Sequence, residues 1–152
     1  MQLSPHFTLA QLECSETAAS HGIDNSAPAE LHENLRRLAA GLEQVQALLG
    51  HPLDISSGYR CGALNTMVGG SATSQHVLGQ AADFTCPGFG PPLEVALEIA
   101  GSAVDFDQVI LEYGRWVHIS FTSAPRKRML TIYSTSQGYL AGLWDQRGKQ
   151  VA

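Results

Sequence analysis

The chain has 152 residues, 44% hydrophobic and 15% charged, a composition that excludes a disordered, collagenous or membrane-embedded protein and predicts one domain spanning residues 1–152. Nine Lys and Arg against fourteen Asp and Glu leave a formal charge of −5, which argues against a broad electrostatic grip on nucleic acid or on an anionic membrane. The opening MQLSPHFTLAQL has neither the basic start nor the apolar run of a secretory signal, and no stretch approaches the ~18 apolar residues of a membrane span. The expectation is a protein made in the cytoplasm without a signal peptide. Cys14, Cys61 and Cys86 match no CxxC spacing and are expected as small buried or half-buried free thiols.

In chain order, Thr8 is placed to cap a short helix from Leu9, and Ser15 a second turn that stops at Gly22. Leu31, Leu35, Leu38, Leu42, Val45 and Leu49 then recur at alternating spacings of four and three, which puts all six on one face of a long helix. Ser26 or Asn25 is the expected cap, Pro28 suits the first turn, and Gly50 followed by Pro52 ends it. LDISSGYR reads as a strand entering a turn, and RCGALNTMVGG as a short helix closed by Gly69 and Gly70. CPGFGPP leaves no room for regular structure. PLEVALEIAG reads as a further helix, FDQVILE and RWVHISF as strands around a turn at Tyr113–Gly114, and MLTIYS as another strand. The basic run Arg126–Arg128 is expected in a solvated loop or strand edge. The predicted fold class is α+β, with helices packed on one face of a central antiparallel sheet.

One stretch stands apart from this scaffold. In SQHVLGQAAD, His76 precedes Asp83 by seven residues, and Gly79 argues against one continuous helix between them. His76 at a turn and Asp83 entering a strand are then free to converge. A catalytic zinc takes three protein ligands, often His with one carboxylate, and keeps a fourth position open for water. WVHIS supplies a third candidate, His118, in the middle of a predicted strand. A lone strand histidine is more often a core or surface residue than a ligand; the combination of three is what points to a metal.

SGYR, the string Ser74-x-His76-x-x-Gly79-x-Ala81-x-Asp83 and the late WVHIS together resemble the zinc D-Ala-D-Ala carboxypeptidases, a family that also includes phage-encoded peptidoglycan endopeptidases and shares its fold with the Hedgehog signalling domain. The resemblance runs from about Ile55 to Phe121, and LSPHFTLAQL is similar to phage and prophage members. It implies one zinc per chain held by His76, Asp83 and His118, with Arg60 nearby to steady substrate or oxyanion. Ser74 and Trp116 are the further candidates for substrate contact. Better-known members place an acid three residues before the last histidine as general base, whereas this chain has Arg115 there. The nearest acid upstream is Glu112; Asp105 and Asp107 are weaker candidates that more naturally begin the strand. His6, His21, His32 and His51 are read as surface residues.

The expected function is a zinc-dependent peptidase that hydrolyses an amide bond in the peptide stem of bacterial peptidoglycan, as a phage or prophage lysis endopeptidase or a D-Ala-D-Ala carboxypeptidase. It would reach the cell wall during lysis or in a virion, and work as a monomer. The alternative is a zinc-stabilised non-catalytic module such as a phage tail component. Hairpin geometry bears on the choice. A two-residue loop would turn Glu112 away, whereas the expected three-residue loop Tyr113–Gly114–Arg115, whose left-handed conformation Gly114 permits, pairs Glu112 with Trp116 and Ile110 with His118 and brings acid and ligand to one face.

Overall fold

The computed structural model describes residues 1–152. Its centre is a six-stranded sheet in the order β1-β2-β4-β3-β5-β6, formed by β1 (Asp54–Ser57), β2 (Ala81–Thr85), β3 (Gln108–Glu112), β4 (Trp116–Ser120), β5 (Arg128–Ile132) and β6 (Leu140–Ala141). The helices are α1 (Leu9–Glu13), α2 (Glu16–Ser20), α3 (His32–Leu49), α4 (Gly62–Met67) and α5 (Pro92–Ala100). The expected α+β arrangement is present, and no helix is long and apolar enough to cross a membrane.

Local chemistry explains the first elements. Thr8 and Gln11 close a capping box around the start of α1, and Ser15 Oγ accepts the Ala18 amide at the start of α2. Along α3, Leu35, Leu38, Leu42, Val45 and Leu49 are all buried, as their spacing demands, and Gly50 ends the helix. Its beginning differs from expectation. Residues 29–31 form a 3-10 turn after Pro28, and neither Ser26 nor Asn25 caps α3. Asn25 is buried and its side chain is committed elsewhere, while Ser26 bonds Asp24. His32, expected on the surface, is half-buried where α3 begins, and its Nε2 lacks a partner.

Alternation along the strands separates two faces. Ala82, Phe84, Val109, Leu111, Val117 and Ile119 join the core shared with α3 and α5. Asp83, Ile110 and His118 therefore stand on the opposite face. The sheet is antiparallel except at one pair, β3 with β5. Both edges of β4 are already taken, by β2 and β3, so the chain leaving Ser120 must pass to the free edge of β3. It enters at the end where Gln108 begins β3, and so runs parallel to it, with Gln108 opposite Arg128.

At Gly41 of α3 an added Cβ would lie 2.5 Å from ring carbons of the buried Phe121, just beyond β4. Gly to Ala inside a helix ordinarily stabilises by about 1 kcal/mol. Because the Phe121 ring is itself buried in the core, overpacking of about 1–3 kcal/mol wins, and Gly41→Ala is predicted to lower stability in urea unfolding rather than raise it.

Candidate metal centre and cleft

His76 sits in the turn between α4 and β2, Asp83 in the middle of β2 and His118 in the middle of β4. Asp83 and His118 face each other directly across the β2–β4 ladder. His76 Nε2 and His118 Nδ1 each lie 3.1 Å from Asp83 Oδ1, and one ligand atom from each of the three side chains falls within 4.8 Å of the others. The two imidazoles meet edge to face at 5.0 Å, and both residues are buried. Burial alone would raise the Asp83 carboxyl, but the two imidazoles outweigh it and hold it well below the usual carboxylate range.

The second nitrogen of His76 sets its tautomer. Nδ1 lies 2.7 Å from the Gly58 carbonyl, which can only accept, so Nδ1 carries a proton and Nε2 is the nitrogen turned toward Asp83. This explains the glycine of SGYR: a Cβ on Gly58 would collide with the Leu12 carbonyl of α1. The same segment is tied down on either side, with the Tyr59 amide donating to Leu12 O at 2.8 Å and the Arg60 amide to His76 O at 3.1 Å. Asn25 completes the brace. Its Nδ2 donates to Glu13 O and Tyr59 O, and its Oδ1 accepts the Cys61 amide at 2.8 Å, so it clamps both neighbours of Arg60. Sequence reasoning missed this role, since an Asn before a helix looks the same whether it caps or braces.

The β3–β4 loop has the three-residue form, Tyr113–Gly114–Arg115, with Glu112 opposite Trp116 and Ile110 opposite His118. Tyr113 and Gly114 both adopt positive φ, and the Arg115 amide closes the turn onto Glu112 O. Glu112 consequently shares the face of His118. Trp116 Nε1 donates to Glu112 Oε1 at 2.9 Å while its ring tilts against Tyr113. Burial, followed by the charge of Asp83, pushes the Glu112 carboxyl above its ordinary value. Arg60 makes no side-chain hydrogen bond or ion pair, and its Nε is buried without a partner. Burial draws its pKa down, against the pull of Asp83 and Glu112. Ser74 Oγ accepts the His76 amide, an internal turn bond that leaves its O–H free to donate.

All seven residues singled out from the sequence line one cleft of about 1000 Å³. Other candidates fall away from it or are committed. Asp105 is exposed and pairs with Lys127 at 3.4 Å, while Asp107 is buried and locked by Arg126, whose Nε and Nη2 reach its two oxygens at 2.9 and 2.7 Å. Arg126 therefore does more than solvate a loop. Asp107 also accepts from Gln75 Nε2 at 2.8 Å, tethering the turn that holds His76 to the start of β3. The cysteines are free; Cys14 is exposed rather than buried. His6 is exposed and paired with Glu43, and His21 and His51 are exposed.

The chain belongs to the Peptidase M15 family, whose model matches residues 5–120, from the N-terminal segment through the last residue of β4. A comparison with curated proteins finds no match. It is a peptidase by family, and two imidazoles with one carboxylate are the donors such a metal-dependent enzyme requires.

Gly58→Ala should fold yet bind metal some 10- to 100-fold more weakly, because it displaces the carbonyl that orients His76. Metal competition against a chromogenic chelator reads this directly, and unaltered affinity would mean that the Gly58–His76 bond is dispensable. A second expectation concerns pH. The Arg126 hydrogen bonds, acting against burial, hold the Asp107 carboxyl at about 2. A depressed carboxyl stabilises the fold above its unfolded value near 4, and that stability is lost as pH falls through 2. Asp107→Asn should thus be less stable by about 2 kcal/mol at neutral pH. Its deficit against the wild type should shrink below pH 4 in denaturant titrations.

Proposed function

We propose that the protein is a zinc peptidase that hydrolyses an amide bond within the peptide stem of bacterial peptidoglycan. The observation that supports this most directly is the meeting of His76, Asp83 and His118 in a cleft that also presents Glu112, a carboxyl raised above its ordinary value. One zinc per chain is the metal this reading assigns to the three side chains. Zinc bound to such a set supplies a Lewis acid that polarises a carbonyl and makes water acidic near neutral pH.

The chain's own residues supply the rest. Glu112 is basic enough to take a proton from the attacking water and to pass it to the leaving amine, and Trp116 fixes its orientation. Arg60, a cation without a counter-charge bonded to it, stabilises the negative charge that builds on the carbonyl oxygen, or fixes a substrate carboxylate in bidentate fashion. The Ser74 hydroxyl donates to substrate from beside His76. The shape of the cleft favours an endopeptidase over a carboxypeptidase. Arg60 and Asp83 also line a second cavity of about 500 Å³, walled by Cys14–Thr17 of the α1–α2 segment and by Ile55–Ser57 of β1. Space on both sides of the metal centre suits a peptide that continues past the cleaved bond. Arg115, standing where an acid is expected, favours a non-catalytic zinc module; Glu112 on the metal face offers the missing base from a different position.

The test joins metal analysis to a digest of purified peptidoglycan read by mass spectrometry. Wild-type protein with one zinc should release fragments cut inside the stem. Glu112→Gln should keep zinc and lose roughly 10²- to 10⁴-fold in turnover. Arg60→Ala should keep zinc and lose about a hundredfold or more, poorly rescued by Lys, whose ammonium lacks the planar fork. Full zinc occupancy with no cleavage by the wild type would make the protein a structural module.

A further inference from the structure

We propose that Arg128, on the far side of the cleft from the metal centre, is a specificity residue that binds a carboxylate of the substrate two to four residues from the cleaved bond. This rests on the peptidase reading and assigns it a substrate class: acidic stem peptides, in preference to the same peptides with that carboxylate amidated.

The register of the sheet carries the argument. Asp83, His118, Ile110, Leu130 and Ala141 are successive partners on β2, β4, β3, β5 and β6, so they form one row across the sheet on the face of the metal centre. From His118 the cleft floor therefore passes over Ile110 and Leu130, which offer a peptide an apolar surface and no charge. Two residues along β5 from Leu130, and on the same face, comes Arg128, directly opposite Gln108 of β3; both line the cleft. Acidic side chains, Asp83 and Glu112, stand at the metal end, and the β5 end is cationic.

Of the three basic residues in the run at positions 126–128, only one has its charge free. Arg126 is forked onto the buried Asp107 and Lys127 pairs with Asp105. Arg128 uses its backbone amide to hold Asp107 O, but its guanidinium makes no hydrogen bond and no ion pair. Arg128 is exposed at the rim of the cleft, so its guanidinium is free to take an anion that enters there. β5 lies beyond the residues matched to the family.

Reach sets the position of that anion. Two strand spacings of about 4.8 Å from β4 to β5, and two residues of about 3.3 Å along β5, separate the Cα atoms of His118 and Arg128 by roughly 12 Å. An extended peptide covers that span in three to four residues, and an arginine side chain leaning back shortens it to about two. A stem peptide whose glutamate is linked through its side chain keeps a free α-carboxylate of the kind such a site would bind.

The experiment uses two synthetic stem peptides, identical except that one has a free carboxylate at this position and the other a carboxamide. Wild-type zinc-loaded protein should favour the acid by about fivefold to tenfold in kcat/KM. Arg128→Gln should level the two, with the loss confined to the acid peptide and appearing in KM rather than kcat, and Arg128→Lys should restore part of the preference. Arg147→Gln, an exposed arginine that does not line the cleft, controls for the change in net charge and should keep the preference whole. No preference in the wild type, or a preference that survives Arg128→Gln, overturns the proposal. Fluorescence anisotropy of the same labelled peptides on zinc-loaded Glu112→Gln protein separates this from failure of the peptidase reading. If neither peptide is cut, tighter binding of the acid that is lost with Arg128→Gln still supports the carboxylate site, and equal binding overturns it.

Discussion

Asp83 stands opposite His118 in the β2–β4 ladder, and the cleft depends on that pairing. Side chains on a strand alternate with a period of two, so a slip of one residue would send Asp83 into the core shared with α3 and α5 and bring Ala82 or Phe84 to the metal face. The apolar neighbours prevent the slip. Ala82, Phe84, Val117 and Ile119 are fully buried on the helix side, and their burial holds Asp83 and His118 on the other. The hydrophobic core thereby does chemical work at a distance: it chooses which face carries the donors.

Ladder pairing can supply only two of the three donors, and the third requires a loop held as firmly as a strand. His76 lies outside the sheet, and what positions it is a set of backbone contacts converging on residues 58–61. Gly58 gives its carbonyl to Nδ1, Arg60 gives its amide to the His76 carbonyl, and Asn25 bridges Tyr59 and Cys61. The same bonds fix the start of the Arg60 side chain. His76 and Arg60 are thus set by one brace, and the tether from Gln75 to Asp107 holds the turn from the other side.

The electrostatics of the cleft follow from this crowding. A carboxylate buried between two imidazoles stays ionised because both neighbours favour its charge, whereas Glu112, one strand further along the sheet, feels that charge as repulsion and is pushed the opposite way. Two carboxyls on one face are in this manner driven to opposite sides of the ordinary carboxylate range. The hairpin loop is what permits it. With Tyr113, Gly114 and Arg115 in the turn, Glu112 shares a face with His118; one residue fewer would point it into the helices.

Much of this was legible in the chain before any coordinates. The leucine spacing of α3, the capping residues of α1 and α2 and the loop that turns Glu112 toward the face of His118 are local patterns, in which spacing dictates the face a side chain takes, while the triad His76, Asp83 and His118 was legible through its residue types and the family resemblance. Other features were decided by tertiary structure alone. Asn25 reads as a helix cap and braces SGYR, Arg126 reads as a solvated charge and clasps a buried Asp107, and MLTIYS reads as one more antiparallel strand and runs parallel to β3. In each case the partner lies at least 19 residues away in the chain or on another strand. A side chain's type and local spacing determine which bonds it is able to make, and only the packing of distant segments determines which of those partners comes within reach.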